Sequence, residues 1–342
     1  MAVIIPARNE GEALAILLPS LGAQTLAPAE LVVVDDASED QTAVVARQLG
    51  AAVVTADPVP PGWTGKTWAC VTGVRSTTSP LLVFLDADVH LAPDALERLI
   101  ADHGRRGGHG LLSVAPEHVA LRPHERLSAM CQLVAMMGTG AFSPMPRWTA
   151  APSAFGPCIV CWRADYEAVG GHTGVRAEMA EDMALARRFR DAGRPTWVVS
   201  GRELVRIRMY PDGLSQLLAG WARTLASGAL ATRPLTMALV VAWVSGLIGA
   251  AGAAGAAAAG LLGGAPRRAR DRARLARYVA YALQVEWLLS RVAAFGAGTG
   301  LAYPLPLAAF LACLTRSVAV RIGPGRVSWK GRSVPVSRAG SR

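Results

Sequence analysis

Through its first hundred residues the chain alternates short apolar runs with longer amphipathic ones. Residues 3–6, 31–35, 52–55 and 81–86 read as strands, and about 10–21, 40–49, a stretch after Lys66 and 93–102 read as helices. That order predicts a parallel α/β layer. Further strands are expected near 111–114 and 159–162, with a helix opening at Glu181-Asp182. The chain carries no internal repeat, and "PARNEGE" follows the first strand where a dinucleotide-binding fold would place G-x-G-x-x-G.

Beyond residue 233 the pattern changes. Residues 234–266 and 292–315 hold no charge, and 278–289 are apolar apart from Gln284 and Glu286. A bilayer crossing takes roughly 20 such residues. Three membrane segments are therefore expected, near 236–262, 278–297 and 301–320, between a first domain of residues 1–233 and a basic tail of 321–342. The first segment is rich in Ala and Gly, which permits close helix packing; its alternative is a buried soluble hairpin. Residues 122–142, with Leu127, Met130, Leu133, Met136 and Met137 among polar positions, suit either an interfacial helix or a core helix. The opening "MAVIIPARNE" is too short an apolar run, charged too early, for a signal peptide.

Charge sharpens this division. The net charge is +10, yet residues 1–233 hold 21 Arg/Lys against 23 Asp/Glu, whereas residues 234–342 hold 14 against 2. Basic residues that flank uncharged stretches point to anionic lipid, and no nucleic-acid partner is expected. Six Arg and one Asp lie in 267–277, and the tail is basic too, so the positive-inside rule puts both in the cytoplasm. Three simple crossings cannot do that. A re-entrant or interfacial hairpin within 234–266, followed by a true hairpin of the other two segments, satisfies the rule. The five cysteines form no disulfide framework, which suits a reducing compartment. Cys158 and Cys161 have half a zinc-site spacing but no second pair, and read as small hydrophobes in a buried strand.

Three acidic clusters carry the candidate chemistry. In "VVVDDASEDQT" an apolar strand stops on Asp35 and Asp36, with Ser38 and Asp40 close behind. One such group suffices to cap the next helix, so the surplus either makes the turn or faces a ligand at the strand's carboxyl end. In "FLDADVH" the carboxylates of Asp86 and Asp88 are two residues apart, which in an extended chain points both to one side. Paired carboxylates suit Mg²⁺ or Mn²⁺, although a solvated turn has the same pattern. Glu181 and Asp182 open a helix, whose N-terminus favours their ionised, proton-accepting form. Of 35 basic residues only Lys66 and Lys330 are lysines; both stand in Gly- and Trp-containing turns, and a compact ammonium suits a diphosphate.

These residues together resemble a family. Pro6-Ala7-Arg8-Asn9-Glu10, Asp35-Asp36-Ala37-Ser38, Asp86-Ala87-Asp88 and Glu181-Asp182, in that order, are similar to family 2 glycosyltransferases of the GT-A fold. "PPGWTGKTWAC", "AFGPCIVCWRADYEAVGGH", "RMYPDG", "GWARTLASGA" and "WKGR" resemble its membrane-bound branch that serves carotenoid synthesis, with hopanoid-associated relatives nearby. The resemblance implies a nucleotide-sugar-binding, Rossmann-like GT-A domain followed by C-terminal transmembrane helices, in a multi-pass protein of the cell membrane whose catalytic domain is cytoplasmic. It implies inverting transfer from a nucleotide sugar, of UDP type, to a lipid acceptor. Pro6, Arg8, Glu10, Asp35, Asp36, Lys66, Asp86, Trp221 and Arg223 would bind the donor, Asp88 with Asp86 the divalent metal, and Asp182, with Glu181, the acceptor proton. A carboxylate acceptor would need little base catalysis and would leave Asp182 an orienting role. Gln216, Trp221 and Arg223 do not reproduce the Q/R-x-x-R-W motif of processive members, so a single transfer is expected. The competing expectation is a catalytically silent membrane scaffold that retains the domain; metal-dependent transfer distinguishes the two.

Overall fold

The computed structural model describes residues 1–145, 148, 153–263, 269–322, 326–329 and 332–335. Lys330 and much of the basic tail lie outside these residues. Contacts divide the chain into two compact units, Met1–Glu117 with Pro152–Arg208 and Gly325–Arg342, and His118–Ala151 with Met209–Pro324.

The first unit is built on a mixed sheet. Its strands are β1 (Ala2–Ala7), β2 (Glu30–Asp35), β3 (Ala52–Thr55), β4 (Leu81–Leu85), β5 (Val89–Leu91), β6 (Leu111–Val119), β7 (Cys158–Trp162) and β8 (Thr196–Ile207), in the order β3-β2-β1-β4-β7-β6-β8-β5. The four strands expected from the first hundred residues are present and parallel to one another. The rest differs from the all-parallel expectation: β7 runs antiparallel to β4 and β6, and β5 antiparallel to β8. β8 escaped the sequence pattern because Ser200, Arg202, Glu203 and Arg206 interrupt its apolar positions, three of which are only half-buried.

Side-chain alternation along the central strands feeds two cores. Val3 and Ile5 face one side, with Leu14, Leu17, Leu18 and Leu21 of α1 (Gly11–Gly22), Ala46 of α2 (Thr42–Gln48), and, once α3 (Gly65–Arg75) is passed, Leu96 and Leu99 of α4 (Ala95–Arg105). Ala2, Ile4 and Phe84 face the other side, against α3 itself and, beyond α5 (Ala129–Thr139) and α6 (Arg163–Ala168), Leu185 and Phe189 of α7 (Glu181–Asp191). Burying a Leu or Phe contributes about 1.5–3 kcal/mol. Gly73 permits the close approach of α3: a Cβ there would stand 2.4 Å from Ile4 Cγ2. Cys158 and Cys161, three apart on β7, fall into opposite cores, so they are the buried small hydrophobes expected and cannot share a zinc ion.

Register places the acidic clusters. Ala7 lies level with Asp35, so the loops after β1 and β2 leave the same sheet edge, and there they are stitched together. Arg8 Nη1 donates to the Asp36 carbonyl at 3.0 Å, Asn9 N–H to Ser38 Oγ at 3.0 Å, Glu39 N–H to Asn9 Oδ1 at 2.8 Å and Glu10 N–H to Thr42 Oγ1 at 2.8 Å. Asp40 accepts from Gly11 N–H at 3.0 Å and from Thr42, so it belongs to the turn. The ladder holds Ala37 at φ +53°, a conformation costly for a residue with a Cβ.

The second unit is helical. Its core joins Met130, Cys131 and Leu133 of α5 to Leu217, Trp221 and Leu225 of α8 (Leu214–Ala231), Val244 and Leu247 of α9 (Pro234–Leu262), Val285 and Leu289 of α10 (Ala269–Val292), and Leu307 and Phe310 of α11 (Pro304–Ile322). Residues 129–139 thus form the core helix that was one of the two alternatives for 122–142. The sequence drew a boundary at residue 233; here α5 and α8, both before it, pack with the C-terminal helices by burying their apolar faces against them. Among the described residues the re-entrant hairpin expected within 234–266 is not found. α9 runs unbroken for 29 residues, since a helix satisfies its own backbone groups whatever surrounds it. Among the described residues it is the one helix long and apolar enough to cross a membrane. The apolar part of α11, Pro304–Ala319, is shorter, and α10 carries Arg270, Arg272, Arg274 and Arg277 on its first turns.

Two variants test these packing assignments by thermal unfolding of the full chain in detergent. Gly73→Leu is expected to cost about 1–3 kcal/mol or more through overpacking against Ile4. Asp40→Ala is expected to cost about 1–2 kcal/mol through loss of its turn and helix-start hydrogen bonds.

Candidate active site

At the carboxyl edge of the parallel strands lies a cleft of about 850 Å³. Pro6 lines it from the end of β1, Arg8 and Glu10 from the loop that follows, Asp36 and Ala37 from the loop after β2, Lys66 from the first turn of α3, Asp86 and Asp88 from the β4–β5 turn, and Glu181 from the start of α7. Eight of the sequence-nominated side chains thus meet at one place.

α3 starts where it does because Thr64 caps it, accepting from Thr67 N–H at 3.2 Å, while Thr64 N–H donates to the Arg176 carbonyl at 2.8 Å. Lys66 therefore sits in the first turn of a helix, and its ammonium enters the cleft floor. Nζ lies 2.7 Å from Asp86 Oδ1 and 2.9 Å from Glu181 Oε1. All three side chains are more than seven-tenths buried. Burial alone would lower the lysine's pKa, but the two carboxylates outweigh it and hold the pKa well above its ordinary value. The neighbouring imidazole of His172 adds no charge: burial, helped by Lys66, pushes it down to about 3, and its Nδ1 pairs with Tyr166 OH at 2.9 Å.

Asp86 and Asp88 do not extend the strand. β4 ends at Leu85, Asp86 N–H donates to the Pro157 carbonyl at 3.1 Å, and Asp88 stands in the tight turn that follows. The strand geometry expected to aim them together is absent, yet both open onto the same cleft. Although Asp88 keeps an exposed surface, partial desolvation by the protein around it, followed by the carboxylates of Asp86 and Glu10, raises its pKa above the usual carboxylate range. A carboxyl crowded by other acids at a cleft is short of positive charge. Among the described residues no three acidic, His or Cys side chains stand closely enough to cage an ion with protein alone. Asp86 and Asp88 fit the mode in which Mg²⁺ or Mn²⁺ takes one or two carboxylates and completes its shell with phosphate oxygens and water.

Asp182 lies behind this floor, in a small recess shared with Lys66, Gly156, His172 and Glu181. Its Oδ1 accepts from Met183 N–H at 2.8 Å. The helix start was expected to keep it ionised at neutral pH; instead burial and the adjacent Glu181 carboxylate push its pKa up to about 7, against the opposing pull of Lys66. Gly156 makes room for both groups: a Cβ there would stand 3.2 Å from Lys66 Nζ and 3.4 Å from Asp182 Oδ2.

Two nominated residues are placed otherwise. Asp35 is buried and its Oδ1 accepts from Ser38 N–H at 3.1 Å, so it closes the turn and Asp36 alone of the pair faces the cleft. Trp221 is an anchor of the second unit's core, 2% exposed, with its indole N–H donated to Ser128 Oγ at 2.9 Å; no polar edge remains for a donor molecule. The side chain of Arg223 lies outside the described residues. Residues not nominated also line the cleft: Asp57, Trp63, Glu178 and Met179. Trp63 stood beside Lys66 in "PPGWTGK", and Glu178 and Met179 precede Glu181 in "AEMAED", but nothing in their local pattern separated them from ordinary loop residues.

Comparison with known proteins agrees with this geometry. Residues 2–116 match the family model described as glycosyl transferase family 2. The 4,4'-diaponeurosporenoate glycosyltransferase of Staphylococcus aureus strain USA300 is 35% identical over 99% of this chain and 89% of its own length. That of Staphylococcus haemolyticus is 39% identical over 72% of this chain and 67% of its own. Among solved structures, the mannosyltransferase PcManGT of Pyrobaculum calidifontis, in complex with GDP-Man and Mn²⁺, has a TM-score of 0.57 at 20% identity, covering 93% of this chain and 86% of its own, a likeness of fold. With a mixed α/β sheet of the GT-A kind, its acidic loops gathered at one cleft, and such relatives along nearly all its length, the chain belongs to the family 2 glycosyltransferases.

Proposed function

We propose that this glycosyltransferase moves a sugar, with inversion, from a UDP-sugar donor to a carotenoid acid at the cytoplasmic face of the cell membrane. The names of the relatives support the acceptor class. The observation that carries the reading is the cleft itself, where Asp86, Asp88, Glu10 and Asp36 face Lys66 and Arg8 in one volume. Exposed Leu239 and Val241 on α9, Leu283 and Trp287 on α10, and Leu305 and Val318 on α11 support multi-pass attachment, since apolar surface on three helices calls for a non-aqueous cover.

Asp36 would hold the base and ribose of the donor, with the Arg8 side chain beside it fixed on the Asp36 carbonyl. A divalent cation bound by Asp88 and Asp86 supplies positive charge to the diphosphate leaving group. Lys66 adds a further positive charge at the same place, where charge held by the protein is a large catalytic contribution. The acceptor oxygen attacks the anomeric carbon opposite the diphosphate; the old carbon–oxygen bond breaks with its electron pair passing to the nucleoside diphosphate. Asp182 takes the proton of a hydroxyl acceptor and orients a carboxylate acceptor, which arrives already ionised.

The test is transfer from labelled UDP-glucose to a carotenoid acid by the full chain in membranes. Chelation and Asp88→Ala are each expected to abolish product, with Mn²⁺ restoring only the chelated wild type; turnover that survives both sinks the metal assignment. Asp182→Asn is expected to lower transfer to a hydroxyl acceptor by about 10²–10⁴ and to affect a carboxylate acceptor little. Only the ionised form accepts a proton, so wild-type transfer to a hydroxyl should rise as pH climbs through about 7, and Asp182→Asn should remove that rise. Equal losses on both acceptors would refute the role of Asp182.

A further inference from the structure

The contact between Lys66 and Asp86 creates a conflict that the proposed reaction must resolve. Asp86 is one of two carboxylates suited to a divalent cation, yet one of its oxygens already pairs with an ammonium at 2.7 Å. A carboxylate whose charge is offset in this way is a poorer ligand, and an ion on its second oxygen would stand close to a like charge. The same ammonium has a second anchor, Glu181 Oε1 at 2.9 Å, on a different element. Glu181 faces the cleft through this pairing, whereas Asp182, its neighbour, does not pair with Lys66 in the structure.

We infer that Lys66 is a displaceable counter-ion of Asp86, which weakens cation binding in the nucleotide-free protein and is drawn off Asp86 when a diphosphate enters, while Glu181 serves as its resting anchor. The inference rests on the metal reading above and deepens it. A lysine suits the role because its ammonium is a compact charge on a flexible stem with three donors, able to exchange one carboxylate for a phosphate oxygen without losing the other. Its stem begins in the first turn of α3, capped by Thr64, so the exchange requires only the far end of the side chain to move. His172 beside the ammonium is neutral and Gly156 has no Cβ, so neither obstructs its movement. The device makes cation and donor bind together: neither the ion alone nor the empty cleft presents a fully charged Asp86.

The two anchors give effects of opposite sign on one measurement. Free Mn²⁺ is titrated by electron paramagnetic resonance into the full-length protein in detergent, first without nucleotide and then with UDP. Lys66→Gln is expected to tighten nucleotide-free Mn²⁺ binding about 3–10-fold while weakening UDP binding in the presence of Mn²⁺. Glu181→Gln leaves the ammonium on Asp86 alone and is expected to weaken nucleotide-free Mn²⁺ binding by a similar factor. Lys66→Arg, which keeps the charge, should stay near the wild-type value, and it serves as the folded reference if Lys66→Gln is unstable. Unchanged or weaker Mn²⁺ binding in Lys66→Gln, or unchanged binding in Glu181→Gln, would overturn the counter-ion role and leave the metal reading standing. Wild-type protein that takes up no Mn²⁺ even with UDP would overturn the metal reading itself, and this inference with it.

Discussion

One ammonium group ties together the polar ends of three elements whose apolar sides already share a core. Lys66 lies in the first turn of a helix, Asp86 follows the end of a strand and Glu181 starts another helix; each brings its charge to the same few ångströms of cleft floor. Without the lysine, Asp86 and Glu181 would face each other as like charges in a partly dry site, and without either acid the lysine would be a half-buried cation with too few partners. Thr64 fixes the start of α3, and Gly156 keeps the backbone small enough to pass beside both Nζ and Asp182.

The acidic clusters were legible because an apolar run that stops abruptly on carboxylates is a local signal. Their roles were not. Asp35 and Asp36 are neighbours of one type, and only the backbone path through Ala37, with its positive φ, decides that one caps the turn while the other faces ligand space. Asp182 misled in a different way: the helix start favours its charge, but burial, which no local pattern reveals, and the adjacent Glu181 disfavour it more. Trp221 attracted a donor-binding role by its place near a motif, and tertiary packing in the second unit settled it as core.

The same limit applied to the fold. The parallel half of the sheet announces itself through repeated strand and helix periods, whereas β5, β7 and β8 join by antiparallel pairing over long separations. The hydrophobic stretches at the C-terminus were found close to where they are, as α9, α10 and α11. Their path was inferred from loop charge, a rule about sidedness that carries no information on where a helix bends, and α9 does not bend back.

The second unit is assembled from two stretches of chain with part of the first unit's sheet between them. Met130, Cys131 and Leu133 of α5 are synthesised well before the helices that cover them, and strands β7 and β8 must find their places in the meantime. During biosynthesis α5 therefore waits as an exposed apolar helix until α8 and the C-terminal helices emerge from the ribosome. A fragment ending near residue 233, cut to obtain a soluble enzyme, would keep α5 and α8 but lose the partners of both. It would carry a sticky half-core in place of the anchor it was designed to shed.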